Sequence, residues 1–206
     1  MNDPLVLAIT GASGVVYGQR LLECLLRAGE TVHLTVSDSA RQVFAHECGL
    51  DLDLEKFDVT SLVPDVERLP GQVFYHHYRD WFAPIASGSF RTRGMVVCPC
   101  SGGTLSGVAR AGSENLIHRA ADVHLKEQRK LVLVTRETPL SLIQIENMRA
   151  VTMAGAVVLP ASPGFYHGGD SVAQLVDFVV ARVLDQFQVP NDLIRRWGPG
   201  DGGAGE

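Results

Sequence analysis

Glycine, hydroxyl and guanidinium groups recur in this chain wherever an apolar run stops. The run Leu5 to Ile9 passes through Thr10 into Gly11-Ala12-Ser13-Gly14 and then a helical pattern, so a strand meets a glycine turn that opens a helix. Glycines let the backbone approach an anion closely, and the unpaired N–H groups and positive dipole end of a helix stabilise its charge. Ser13 adds a hydroxyl at the same mouth. The spacing is not the Gly-x-Gly-x-x-Gly of a dinucleotide fold, so a mononucleotide suits it better than NAD, while a purely structural turn accounts for it equally. The segment Cys98-Pro99-Cys100-Ser101-Gly102-Gly103-Thr104 repeats the arrangement, and two such N-termini could converge on one anion. Ser37 closes another apolar run. Its hydroxyl, like that of Ser101, either meets a phosphate oxygen or caps a helix.

Further groups suit a planar ligand and a second anion. Trp81 precedes the small-residue loop Pro84-Ile85-Ala86-Ser87-Gly88-Ser89, which would let a flat ring lie near the backbone with the indole as a wall; a buried structural Trp is the alternative. Arg119, Val123 and Lys126 share a helix face by the i, i+3, i+4 rule, as a phosphate site or as a solvated surface. Arg136-Glu137 follows the run 131–134, and a carboxylate beside several cations either balances charge or exchanges protons with a leaving group. Tyr166 stands in a proline-rich loop and Arg182 on the helix after it. A phenol and a guanidinium are a good pair for a second phosphate, although a core Tyr and a surface Arg fit the same residues.

These groups must be held by strands and helices in alternation. Short unalternated runs rich in Val, Ile and Leu at 5–9, 31–36, 94–97, 131–134 and 156–159 predict strands buried on both faces. Helical patterns at 15–27, 39–48, 116–128, 140–154 and 171–187 separate them. The alternation predicts a doubly wound parallel sheet of three-layer α/β/α type, with ligands at the carboxyl ends of the strands. Residues 51–78 read as an excursion with short strand or helix pieces, because Pro64, Pro70 and scattered charge break any period. The expectation is one domain over 1–197 followed by a disordered glycine-rich tail at 198–206, with Trp197 docking on something.

At 206 residues the chain suffices for one sizeable core. A formal net charge of −5 argues against a general nucleic-acid binder, whose affinity rests on many cations. No run approaches the roughly 20 apolar residues of a membrane span and no leader pattern opens the chain, so a cytoplasmic protein is expected. The four cysteines, Cys24, Cys48, Cys98 and Cys100, form neither a disulfide framework nor a zinc pattern, and the seven histidines show no ligand spacing, so no metal is implied.

Taken together, GASGVVYG, ASGSFRTRGMVVCPCSGGTLSG, LIHRAADVHLKEQRKLVLVTRETPLS, ENM, GAVVLPASPGFYH and DFVVARVLDQF resemble the UbiX/PAD-type flavin prenyltransferases, in order from about Leu5 to Trp197. The resemblance implies a Rossmann-like, flavodoxin-like flavoprotein that transfers a dimethylallyl group from dimethylallyl monophosphate to N5 and C6 of reduced FMN, without metal. The product would serve a UbiD-type decarboxylase. It also implies FMN contacts at Gly11, Ala12, Ser13, Ser37, Ser101, Gly102, Gly103, Thr104 and Arg136. Prenyl phosphate contacts would be Ser87, Arg119, Lys126, Tyr166 and Arg182. Glu137 would handle protons near the phosphate, Ser13 would also take part in catalysis, Trp81 would face an allyl cation, and Glu47 matches a family acid that a neighbouring subunit presents. The family commonly forms a dodecamer. Val15, Gly102-Gly103 and the glycine-rich stretch after His167 depart from its usual residues, which bears on loop rigidity and substrate affinity more than on reaction class. An FMN-dependent peptidyl-cysteine decarboxylase and a non-catalytic FMN carrier are the competing readings. The first lacks its catalytic His and Asn motif here, and the second leaves the surplus cations unexplained.

Overall fold

The structure is a computed structural model that describes residues 3–165 and 171–196. Tyr166, His167, Trp197 and the segment 198–206 lie outside the described residues. The strands are β1 (Leu5–Ile9), β2 (Thr31–Val36), β3 (Gln72–Tyr75), β4 (Gly94–Cys100), β5 (Lys130–Thr135) and β6 (Val157–Val158). They form one sheet in the order β3-β2-β1-β4-β5-β6, with every pair parallel. The helices are α1 (Val15–Arg27), α2 (Asp38–Cys48), α3 (Gly102–Ala109), α4 (Leu116–Lys126), α5 (Leu142–Met153) and α6 (Val172–Gln186).

The unalternated strands are explained by two cores. Leu5, Leu7 and Ile9 of β1 enter one, with Leu22, Phe44 and Val180 from α1, α2 and α6. Val6 and Ala8 enter the other, with Leu105, Ile117 and Val151 from α3, α4 and α5. Successive side chains of a strand point to opposite faces, so a sheet covered on both sides needs apolar residues at every position. The result is the expected three-layer α/β/α arrangement. The order in which successive strands are added reverses between β1 and β4, where the following helices leave on opposite faces; such a switch point opens a crevice at the strand ends.

Local signals set most boundaries. Ser37, Ser101, Ser141 and Ser171 are N-caps, the last two in full capping boxes with Gln144 and Gln174. Gly29 and Gly49 end α1 and α2 in left-handed conformation, with φ of 79° and 67°. β4 runs three residues past the expected end at Val97, with a register shift between Val97 and Cys100. β6 is shorter than the expected 156–159. The excursion contains two short 3-10 turns, Val59–Ser61 and Val66–Arg68, and the edge strand β3. β3 has no fully buried residue, so its pattern carries little signal. Omitting it leaves the flavodoxin-like order of five strands.

Candidate functional site

Thr10 stitches the switch point. Its Oγ1 donates to the Pro99 carbonyl at 2.7 Å and accepts from the Ser101 N–H at 2.8 Å, binding the end of β1 to the end of β4 with no exposure to solvent. The two glycine loops are therefore side by side. Nothing in the periodicity marks Thr10, which reads as one more strand residue.

The first loop is packed from both sides. A Cβ on Gly11 would fall 2.4 Å from Ser39 Oγ, so only glycine admits the Ser37 and Ser39 hydroxyls, which lie 3.0 Å from each other. Ser37 Oγ also accepts from the Ala40 N–H as cap of α2. Gly14 opens α1 with φ of 98° and no cap of its own. The anion at this helix start belongs to the protein. Glu47 Oε2 accepts from the Gly14 N–H at 2.8 Å, and the Ser13 hydroxyl and Val15 N–H also contact the carboxylate. Burial opposes ionisation, yet these donors, with Arg136 nearby, hold the Glu47 carboxyl below the usual carboxylate range. Glu47 thus reaches the loop from its own chain, and no second subunit is required to bring it there.

The second loop is more open. Ser101 Oγ donates to Thr104 Oγ1 at 3.0 Å and accepts from the Thr104 N–H as cap of α3. A Cβ on Gly103 would meet nothing within 4 Å, so this helix start has space before it. Between the loops, Arg136 Nε donates to the Ser13 carbonyl at 3.1 Å. That bond leaves the terminal guanidinium nitrogens with no hydrogen bond among the described residues. Next to it Glu137 is exposed, and Gln144 Nε2 donates to its Oε2 at 3.1 Å while standing 3.4 Å from the Cβ position of Gly102. Sequence reasoning missed Gln144, although the Ser141-x-x-Gln144 capping-box spacing was there to find it.

A second group lies on α4 and the loop before β4. Ser87 Oγ is 2.9 Å from Ser89 Oγ, and both residues are exposed. Lys126 Nζ donates to Glu127 at 2.5 Å, and a Cβ on the intervening Gly88 would strike Glu127 Oε1 and crowd Lys126 Nζ. Arg119 donates through Nε to the Ala86 carbonyl and through Nη1 to Asp122. Trp81 is 45 % exposed, which excludes the buried structural reading within the chain. Arg182 pairs with Asp185 at 3.0 Å and lines a cavity of about 290 Å³ with Leu159, Pro160 and Ser162. No side-chain hydrogen bond among the described residues joins the α4 group or Arg182 to the switch-point group.

Cys98 and Cys100 are buried in β4, where burial pushes both thiols up, Cys100 to about 12. Among the described residues no group of three or more His, Cys, Asp or Glu side chains is placed to hold a metal ion. The crevice instead combines two glycine-rich helix starts, hydroxyls and a half-free guanidinium. That donor set fits a phosphorylated mononucleotide.

Comparison with known proteins agrees. The Flavoprotein family model matches residues 1–184. The flavin prenyltransferase UbiX of Pseudomonas aeruginosa is 49 % identical over 201 residues, covering 96 % of each chain. Among solved structures, AnUbiX (PadA1) in complex with FMN and dimethylallyl pyrophosphate superimposes with a TM-score of 0.85 at 37 % identity, over 98 % of this chain and 100 % of that one. The dodecameric FMN-dependent UbiX-like decarboxylase from Escherichia coli O157:H7 gives 0.82 at 40 % identity, over 95 % and 99 %. The chain belongs to the UbiX flavin prenyltransferase family of flavoproteins.

Proposed function

We propose that this protein is a flavin prenyltransferase, joining the dimethylallyl group of dimethylallyl monophosphate to N5 and C6 of reduced FMN and releasing phosphate. The reading rests on one observation above all: the chain carries more anion-binding groups than a single FMN phosphate requires, with Ser87, Arg119 and Lys126 near α4 and Arg182 on α6 standing apart from the switch-point group. Gly11, Ala12, Ser13, Ser37, Ser101, Gly102, Gly103, Thr104 and Arg136 hold FMN in the crevice at the switch point. Ser87, Arg119, Lys126, Tyr166 and Arg182 take the prenyl phosphate. Bound reduced flavin supplies the nucleophilic ring; the protein supplies position, charge and protons.

Breaking the allylic C–O bond places negative charge on the departing phosphate. Cations fixed beforehand act most strongly there, because they need not reorganise as charge develops. Trp81 offers an aromatic face to the allylic carbon as it becomes cationic. Glu137, steadied by Gln144, passes a proton at the phosphate, and the Ser13–Glu47 contact is a second proton-handling pair at the flavin.

Because these groups are unjoined within one chain, the complete site is assembled between subunits of a homo-oligomer, a dodecamer. The α5 surface supports that assembly: Leu142, Ile143 and Met153 are 72 %, 74 % and 75 % exposed. We place the enzyme in the cytoplasm as one domain over 1–197, handing prenylated FMN to a UbiD-type decarboxylase. Mass spectrometry of the flavin released after anaerobic incubation with reduced FMN and dimethylallyl monophosphate tests the reading. A flavin heavier by one C5 unit is expected, and unmodified FMN from protein that binds both ligands overturns it.

A further inference from the structure

The loop that carries Ser87 is strapped down by a network in which none of the residues proposed for catalysis takes part except Arg119. Carbonyls of alternate residues are used. Arg119 Nε donates to Ala86 O at 3.0 Å, Arg129 Nη2 to Gly88 O at 2.6 Å and Arg129 Nη1 to Phe90 O at 2.7 Å. The residues between, Ser87 and Ser89, stay exposed with their hydroxyls 2.9 Å apart. One guanidinium thus grips two carbonyls, an arrangement for which its planar fork is suited and a lysine is not.

Behind Arg129 lies a buried relay. His124 Nδ1 is 2.7 Å from the Ala120 carbonyl, which can only accept, so that nitrogen carries the proton and Nε2 is an acceptor. Thr92 Oγ1, 2.8 Å from His124 Nε2, must then donate to it, leaving its lone pair toward Arg129 Nη1 at 3.4 Å. His124 and Thr92 are 1 % and 6 % exposed, so every bond in the relay has one sense only.

We infer that Arg129, backed by Thr92 and His124, is a positioning residue that sets the Ser87 and Ser89 hydroxyls for the prenyl donor's phosphate. The inference rests on the prenyltransferase reading. Three full-length variants test it: Arg129→Gln, Arg129→Lys and Thr92→Val. Each is measured for FMN affinity by flavin fluorescence, for KM and kcat with dimethylallyl monophosphate, and for amide hydrogen exchange over 86–92. Arg129→Gln is expected to raise KM about tenfold and to speed loop exchange at least about tenfold, with FMN affinity within about twofold. Arg129→Lys should recover part of the KM, since one ammonium reaches one carbonyl, and Thr92→Val should shift it about threefold. Unchanged KM, unchanged loop exchange, or an equal loss of FMN affinity overturns the inference. If wild-type protein makes no prenylated flavin, the functional reading fails instead. Loop exchange and calorimetric binding of dimethylallyl monophosphate to the FMN-loaded variants then decide the inference without turnover.

Discussion

Glu47 and Glu137 are both close to a glycine loop, but their surroundings give them different properties. Glu47 caps the start of α1, and its carboxyl is held low by the Ser13 hydroxyl and two backbone N–H groups against the opposing effect of burial. A depressed carboxylate stabilises the fold above its unfolded value of about 4.5, and that contribution is lost as pH falls through the lower folded value. Replacing it by Glu47→Gln keeps an acceptor but removes the charge from the helix end. A loss of about 0.5–1 kcal/mol in urea unfolding at pH 7 is expected, together with slower prenyl transfer. Glu137 is exposed, accepting from the Gln144 side chain and the neighbouring Thr138 N–H, so it contributes little to stability. Glu137→Gln should slow single-turnover prenyl transfer by about tenfold or more while FMN affinity stays within about twofold. Unchanged single-turnover rates would remove Glu137 from the mechanism.

At the scale of elements, two features govern stability: close backbone approach and buried histidine. A Cβ on Gly18 of α1 would lie 2.3 Å from the Cys98 carbonyl of β4, a backbone atom that cannot swing aside. Gly18→Ala should therefore cost about 1–3 kcal/mol despite its better helix propensity, as read by thermal or urea unfolding. His124 on α4 is held neutral by burial, which lowers it to about 4 despite the Ala120 carbonyl. The unfolded chain protonates this residue below the ordinary histidine value of 6.5 and the folded chain does not until about 4, so stability falls as pH drops through that window. His33, hydrogen-bonded to His76 at 2.8 Å between β2 and the end of β3, is likewise pushed down to about 4, by burial and by its neighbour. Urea midpoints should drop between pH 7.5 and 4.5, and the drop should be smaller in His124→Gln, whose own share at full burial is about 2–3 kcal/mol.

For the whole molecule the decisive feature is α5. It carries Leu142, Ile143, Ile145 and Met153 exposed among the polar side chains Gln144, Glu146, Asn147 and Arg149, and only Val151 is buried within the chain. Large apolar side chains left exposed on one helix mark a contact surface, and on the oligomeric reading proposed above other copies would cover them. Met153→Asp, at the end of α5 away from Gln144, should reduce the native mass in light scattering and lower prenyl transfer while leaving each subunit folded. A variant that stays fully assembled would separate α5 from the assembly.

The strands at 5–9 and 31–36, the helix at 15–27 and the serine and glycine loops were legible because their causes are local: unbroken apolar runs, a 3.6-residue period and residue types that backbone geometry demands. The family was legible for the same reason, since its motifs are contiguous. β3 was not, because an edge strand exposes alternate residues and has no continuous run to show. Arg129 and the Thr10 bridge were not legible either, for each acts on a residue supplied by another element, and Thr10 meets Pro99 from 89 positions away. Local propensity thus determined the elements and the types of group at their ends. Which ends meet, which carboxylate already occupies a helix start and which guanidinium reaches across to the Ser13 carbonyl were decided by tertiary packing alone, because hydrogen bonds across the sheet depend on strand order and register, which no single segment encodes.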